Sequence, residues 1–398
     1  KDSITNFDLY SSKAAMLLAD LYSPDTLVSR QAKNILELNY KFAKDDLPLI
    51  YKILGQKKTD DHQSDGLRRT LIYSLVNNHD ERSVPTLKSL LLDPTTTDLI
   101  KIAILPTVCD IDSTQLGWYV QALNKYRPDA GYDVWRLLQP LSAARNYVAH
   151  NLEKLIPLFS VNSYRPTLLN ICLKIASDST MQQAYRMIHT YLPDIMHYFA
   201  EDLSQLASEQ KLAASFNYYS IADYVKIIAL YKQKDLLQKF RLQLLADEPI
   251  GYLRATTACE FLVLDLPIHQ SLLDSIYANL SQRYVLMNGL KAKKCEHLVP
   301  ASYKAQNEIG KIVVNEYLES EWDTYPLQID YLGQLTENDK QYMIYSFKTE
   351  GDNQRYLSVY MPDPENSEWT YNFENCYSDL EPISNDWKTE ALKLIRTM

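Results

Sequence analysis

SDGLRRTLIYSLV, residues 64–76, and TDLIKIAILPTVC, residues 97–109, superpose when Asp65 is set on Asp98, an offset of 33 residues. That offset is the length of a helix-turn-helix unit in a solenoid, where one unit cannot bury its apolar face alone and stacks on the next. The flanking segments read the same way. SPDTLVSRQAKNILELNY (23–40) offers Ser23 as a helix N-cap and Pro24 at the first helical position. Leu27, Ala32, Ile35 and Leu36 then fall on one face at a 3.6-residue period. DDLPLIYKILG (45–55) and ERSVPTLKSLLLD (81–93) follow as further short helices separated by polar turns.

The turn Asp80-Glu81-Arg82 followed by Val84, Pro85, Leu87 and Leu91 resembles the inter-helix turn and second helix of a HEAT-type repeat. Later helical pairs drift in spacing, and Pro106 and Pro193 are expected to kink or break helices. The predicted architecture is therefore mainly α: an irregular HEAT-like α-solenoid of helical pairs over residues 1–320.

After Glu319 the period changes from 3.6 to 2. Leu327, Ile329 and Tyr331 alternate, as do Met343, Tyr345 and Phe347, then Leu357, Val359 and Met361, then Trp369, Tyr371 and Phe373. These predict a four-stranded antiparallel sheet. Ser384 would then cap a final helix bearing Trp387, Ala391, Leu394 and Ile395. Residues 321–398 thus read as a small α+β cap domain, expected to dock on the last solenoid helices because so short a chain has a marginal core.

Composition shifts at the same place. Leucine occurs 51 times in residues 1–320 and 7 times afterwards, and the tail holds 15 Asp and Glu against 6 Lys and Arg, so the net charge of −9 resides there. The first 320 residues hold 35 of each sign. No basic footprint for nucleic acid emerges. Nine glycines in 398 residues argue against phosphate-cradling loops, and no dinucleotide fingerprint or Gly-x-Ser-x-Gly is present. No apolar run of about 18 residues predicts a membrane span. The chain begins at Lys1 without Met or signal segment, which leads to the expectation of a mature chain or a fragment.

Candidate chemistry is sparse. His189, His197 and Glu201 are the most metal-like group, but Pro193 interrupts them and no His-Glu-x-x-His spacing exists, so neither metal nor cofactor is expected. Cys295 and His297 lie near each other in sequence, but a nucleophile-base pair is set by tertiary geometry, and a surface loop is the simpler reading. The five cysteines are widely spaced and predict no disulfide framework. Tyrosine, 30 in all, is the one surplus. Most of it is expected in helix packing, while Tyr218, Tyr219 and Tyr224 on one helix, and Tyr342, Tyr356 and Tyr360 on one even-numbered face of the hairpin, are candidate binding residues.

From residue 268 onward, IHQSLLDSIYANLSQRYVLMNGLKAKKCEHLVPASYKAQ and its Pro300, Tyr303, Lys304 and Gln306 resemble the C-terminal region of long Bacteroidota proteins of TraB/GumN type. The resemblance implies a non-catalytic appendage of a metal-dependent hydrolase and a periplasmic or cell-envelope setting. The Gly-x-x-His element of that hydrolase domain is absent here, so no catalytic residue carries over. The expected function is a protein-interaction scaffold that binds a protein or peptide and no nucleic acid. The alternative is an enzyme on a HEAT-like scaffold, such as a DNA glycosylase of the AlkD kind, which would need Lys232, Lys234, Lys239, Arg241 and Lys291 to segregate into a basic groove.

Overall fold

Helix Thr26–Leu38 begins two residues later than the expected start at Pro24, because the Asp25 carboxylate accepts from the Leu27 amide (2.9 Å) and Ser23 Oγ accepts from the Asp25 amide (3.2 Å). The computed structural model describes residues 13–21, 23–38, 40–55, 62–208, 215–245, 251–349, 354–362, 375–379, 381–383 and 386–397. The chain is mainly helical and divides into two compact units, Lys1–Glu201 and Asp202–Met398. The change from helix to strand falls inside the second.

In the first unit, helix His62–Ser74 packs on Thr26–Leu38 and on Asp98–Ile111, and Ser83–Leu92 also lies against Asp98–Ile111. Contact with the next helix and the next but one is the packing expected of stacked pairs. Helix Asp98–Ile111 is covered on several sides, which explains why it is apolar nearly all round, and it continues through Pro106 without ending. The two aspartates of the 33-residue repeat do equivalent work. Asp65 accepts from Thr97 Oγ1 (2.8 Å), and Asp98 accepts from the Asp129 amide (3.1 Å), each reaching the next layer along the chain. Pro193 stands at the second position of helix Leu192–Ser208, where a missing amide hydrogen costs nothing, and Tyr191 separates that helix from Gln182–Thr190.

In the second unit, helix Gly251–Val263 is buried from Leu253 through Phe261, packed on Ser215–Leu230 and Leu280–Ala292. Gln270–Ala278, Leu280–Ala292 and Gln306–Trp322 follow, and the chain then enters the sheet. Strands β1 (Pro326–Glu337), β2 (Lys340–Thr349), β3 (Tyr356–Tyr360) and β4 (Cys376–Asp379) form an antiparallel meander in that order. Asn338 and Asp339 both adopt positive φ (51° and 60°), the backbone that a two-residue hairpin needs to match strand twist. The expected alternation Trp369, Tyr371, Phe373 and the expected cap Ser384 lie outside the described residues.

Both faces of the sheet are covered. One carries Tyr342, Ile344, Leu357 and Val359 against Ala391 and Ile395 of the closing helix Trp387–Thr397. The other carries Tyr345, whose hydroxyl donates to the Asn307 carbonyl (3.1 Å) of helix Gln306–Trp322. Tyr342, Tyr356 and Tyr360 therefore do not share a face. Met343 sits opposite Tyr360, and Ile344 opposite Val359, so odd positions of β2 match even positions of β3. Parity does not carry across a hairpin; the register set by the turn decides it.

Candidate functional site

Helix Ser215–Leu230 includes Tyr218, Tyr219 and Tyr224. The side chains of Tyr218 and Tyr219 lie outside the described residues. Tyr224 is buried, with its hydroxyl donating to Asp202 Oδ2 (3.2 Å). Tyr342 and Tyr360 are likewise buried, and Tyr356 is half-buried with its ring 5.5 Å from that of Phe347. Tyr224, Tyr342 and Tyr360 are thus withdrawn from the surface, and Tyr356 is partly so.

The tyrosine surplus has a packing explanation that recurs along the chain. The buried Arg165 guanidinium lies 4.6 Å from the Tyr198 ring centroid, donates to the Phe159 carbonyl (2.7 Å) and pairs with Glu201 (2.8 Å). Arg136 lies 3.4 Å from the Tyr73 ring centroid, while Arg69 donates to the Tyr73 hydroxyl (3.1 Å) and pairs with Asp133 (2.9 Å). Lys226 donates to the Tyr252 hydroxyl (3.1 Å) and pairs with Asp223 (3.0 Å). Arg283 lies 5.3 Å from the Tyr303 ring centroid and pairs with Glu308 (2.7 Å). A cation placed between an aromatic ring and a carboxylate keeps its charge satisfied while bridging helices. Tyr303, within the Pro300 to Gln306 element, also stacks on Tyr277 with centroids 4.5 Å apart.

The candidate catalytic groups do not assemble. His189 and His197 are on different helices, and Glu201 is engaged by Arg165. Among the described residues, no three His, Cys, Asp or Glu side chains are grouped so as to hold a metal. Cys295 donates its thiol to the Lys293 carbonyl (3.4 Å). Burial pushes the thiols of Cys109, Cys172 and Cys259 up to about 12, far from the thiolate that nucleophilic chemistry requires.

Concavity, exposed aromatics and an open sheet edge meet at one place in the second unit. A cleft of about 470 Å³ lies between the start of helix Leu280–Ala292, the helix Gln306–Trp322 and the first residues of β1. Buried Arg283 and Asn315 are among its lining residues. Asn315 Nδ2 donates to Ser281 Oγ (3.1 Å) and Glu319 Oε1 (2.9 Å), and Ser281 Oγ donates to the same Glu319 oxygen (3.0 Å). Arg283 and Lys311 share one carboxylate, Glu308, each at 2.7 Å. Burial alone would raise that carboxyl, but hydrogen bonds from Lys311 and Arg283 outweigh it and hold Glu308 below its ordinary value. The neighbouring Glu316 is pushed up to about 7 by burial and then by the negative Glu319, against the Asn315 amide that donates to it.

The far wall of the cleft is Pro326, Leu327, Gln328 and Ile329, the opening residues of β1. Strand β1 is an edge of the sheet: among the described residues it pairs with β2 on one side and with no strand on the other. On that wall Leu327 exposes 69% of its surface, and Tyr325, one residue before β1, exposes 64%. Two large exposed side chains where the chain enters an open-edged strand are an unusual thing to leave in water.

No protein-family model matches the chain, and no curated protein or solved structure does either.

Sequence reasoning missed this site, although one signal in the chain points to it. From Ile312 through Asp339 there is no Lys or Arg, while Glu316, Glu319, Glu321, Asp323, Asp330, Glu337 and Asp339 are all acidic. That run contains Trp322, Tyr325, Leu327 and the whole of β1. Aromatic residues embedded in charge of a single sign are easily read as loop and strand filler; only the edge position of β1 gives them a surface to act on.

Proposed function

We propose that this chain is a non-catalytic protein-interaction module, and that it forms the C-terminal part of a larger cell-envelope protein of TraB/GumN type. The resemblance of residues 268–306 supports the second half of that reading. The observation that carries the first half is the exposed pair Tyr325 and Leu327 where the chain enters β1, whose outer edge is open among the described residues. Aromatic side chains with few rotors lose little entropy on binding and are the residues on which interfaces concentrate their energy.

A photo-crosslinking amino acid at Tyr325, introduced into the chain in its native host, tests the reading. One discrete protein adduct is expected, absent when the same group replaces Leu242, an exposed residue elsewhere in the second unit. No adduct at position 325 beyond the Leu242 control overturns the interaction role. Titration with duplex DNA addresses the enzyme alternative: micromolar or tighter binding that collapses with salt would replace the interaction module with a DNA-acting scaffold. The encoded protein upstream of Lys1 tests the parent assignment, which requires a domain carrying Gly-x-x-His.

A further inference from the structure

We propose that the open edge of β1 takes up an extended basic segment of a partner protein as a fifth strand of the sheet, a step that rests on the interaction role and specifies its chemistry. Three observations converge on it. First, β1 is twelve residues long, and its outer side offers a row of backbone donors and acceptors that nothing among the described residues pairs. Register shifts fall between Pro326 and Gln328 and between Tyr331 and Gly333, and the stretch from Pro326 to Ile329 is the part of β1 that borders the cleft.

Second, the cleft gives a guest strand a seat. The start of helix Leu280–Ala292 faces the β1 edge across a space of about 470 Å³, and helix Gln306–Trp322 contributes Lys311, Asn315 and Glu319. Side chains of a strand alternate, so one set would enter this space beside Leu327 and Ile329 while the other turned to the opposite face of the sheet.

Third, charge selects the guest. The 28 residues from Ile312 to Asp339 hold seven acidic residues, six besides the proton-holding Glu316, and no cation. The two cations that do line the cleft, Arg283 and Lys311, are both held by Glu308. Of the acidic residues in the run, Asp330 and Glu337 pair with Arg355 and Arg396, whereas Glu321 and Asp323, just before β1, are exposed. Lys and Arg on the incoming strand would complement this field, and an acidic strand would be repelled by it. A second copy of the chain has no Lys or Arg in its own β1 to complement that field.

The test uses the full chain and three fluorescent decapeptides, read by anisotropy. One alternates Lys or Arg with Val or Thr; the second replaces each cation by Glu; the third is the basic peptide with every backbone amide N-methylated, so that neither edge keeps a donor. The basic peptide is expected to bind at least about tenfold more tightly than the acidic one, and N-methylation to remove about tenfold or more, because it deletes ladder donors while leaving the charge intact. Tyr325→Ala with Leu327→Ala should weaken the basic peptide about tenfold, and Glu321→Lys should weaken it while improving the acidic peptide. All three substituted residues are exposed, so an unchanged thermal transition certifies the fold. Equal binding of basic and acidic peptides overturns the charge selection. Equal binding of the N-methylated peptide overturns strand addition. If the basic peptide fails to bind while Tyr325 still crosslinks a partner, this inference falls and the interaction role stands; if both fail, both fall.

Discussion

A single methyl group added at Gly310 would place a carbon inside the contact radius of the Tyr345 hydroxyl, on the helix that the sheet covers. Gly310→Ala should therefore push Tyr345 off the Asn307 carbonyl and destabilise the protein by ~1–3 kcal/mol, the range for overpacking a core. Its coupling to Tyr345→Phe in a double-mutant cycle checks the cause. At Arg165, truncation to Ala strips a buried guanidinium from the Phe159 carbonyl, Glu201 and the Tyr198 ring, and a loss of ~3 kcal/mol in chemical denaturation is expected. Glu201 lies at the solvated end of that pair, so Glu201→Gln should cost less. Glu316 supplies a pH signature. Its carboxyl is raised from 4.5 to about 7, so the folded state holds a proton that the unfolded chain has released. Stability should fall as pH rises from about 4.5 through about 7, by ~2 kcal/mol after allowance for partial exposure, and thermal melts of Glu316→Gln should lose that slope. None of these three roles is legible in the sequence: Gly310, Arg165 and Glu316 sit in ordinary helical segments, and their importance comes from what tertiary packing brings against them.

At the scale of elements, the hairpin and its closing helix show where periodicity suffices and where it stops. Alternation in QYMIYSFK (341–348) correctly marks a strand, and the stripe Ala391 and Ile395 correctly marks a buried helix face. Which strand faces align is another matter, because the register between β2 and β3 depends on a connection whose geometry alternation does not encode. Grouping Tyr342 with Tyr356 and Tyr360 by even number fails for that reason. The closing helix is held by Ile395 and by Trp387, which lies over Gly333 at φ 149°. Ile395→Ala should cost ~2–4 kcal/mol and be seen as loss of the sheet's cooperative unfolding. Gly333→Ala combines an unfavourable backbone conformation with a 3.2 Å approach to Trp387 and should cost ~1–3 kcal/mol, read in the same assay.

For the whole molecule, the cysteines report how the two units behave. Cys109 and Cys172 are buried in the first unit, Cys259 and Cys376 in the second, and only Cys295 is partly exposed. At pH 8 one thiol is expected to react promptly with a chromogenic disulfide reagent. The other four should wait for unfolding, the first pair and the second pair appearing at different denaturant concentrations if the units open separately. Simultaneous exposure of all four would mean that the chain unfolds as one. Leucine density and the switch from period 3.6 to period 2 were enough by themselves to determine a mainly helical chain ending in an antiparallel sheet and a helix. Those features are local, and each is written in the spacing of neighbouring side chains. The cation, tyrosine and carboxylate ties, the two-sided burial of the sheet and the cleft at the β1 edge were decided only by tertiary structure. Each depends on residues some 20 to 60 positions apart meeting at a distance of a few ångströms, which a sequence period has no means of expressing.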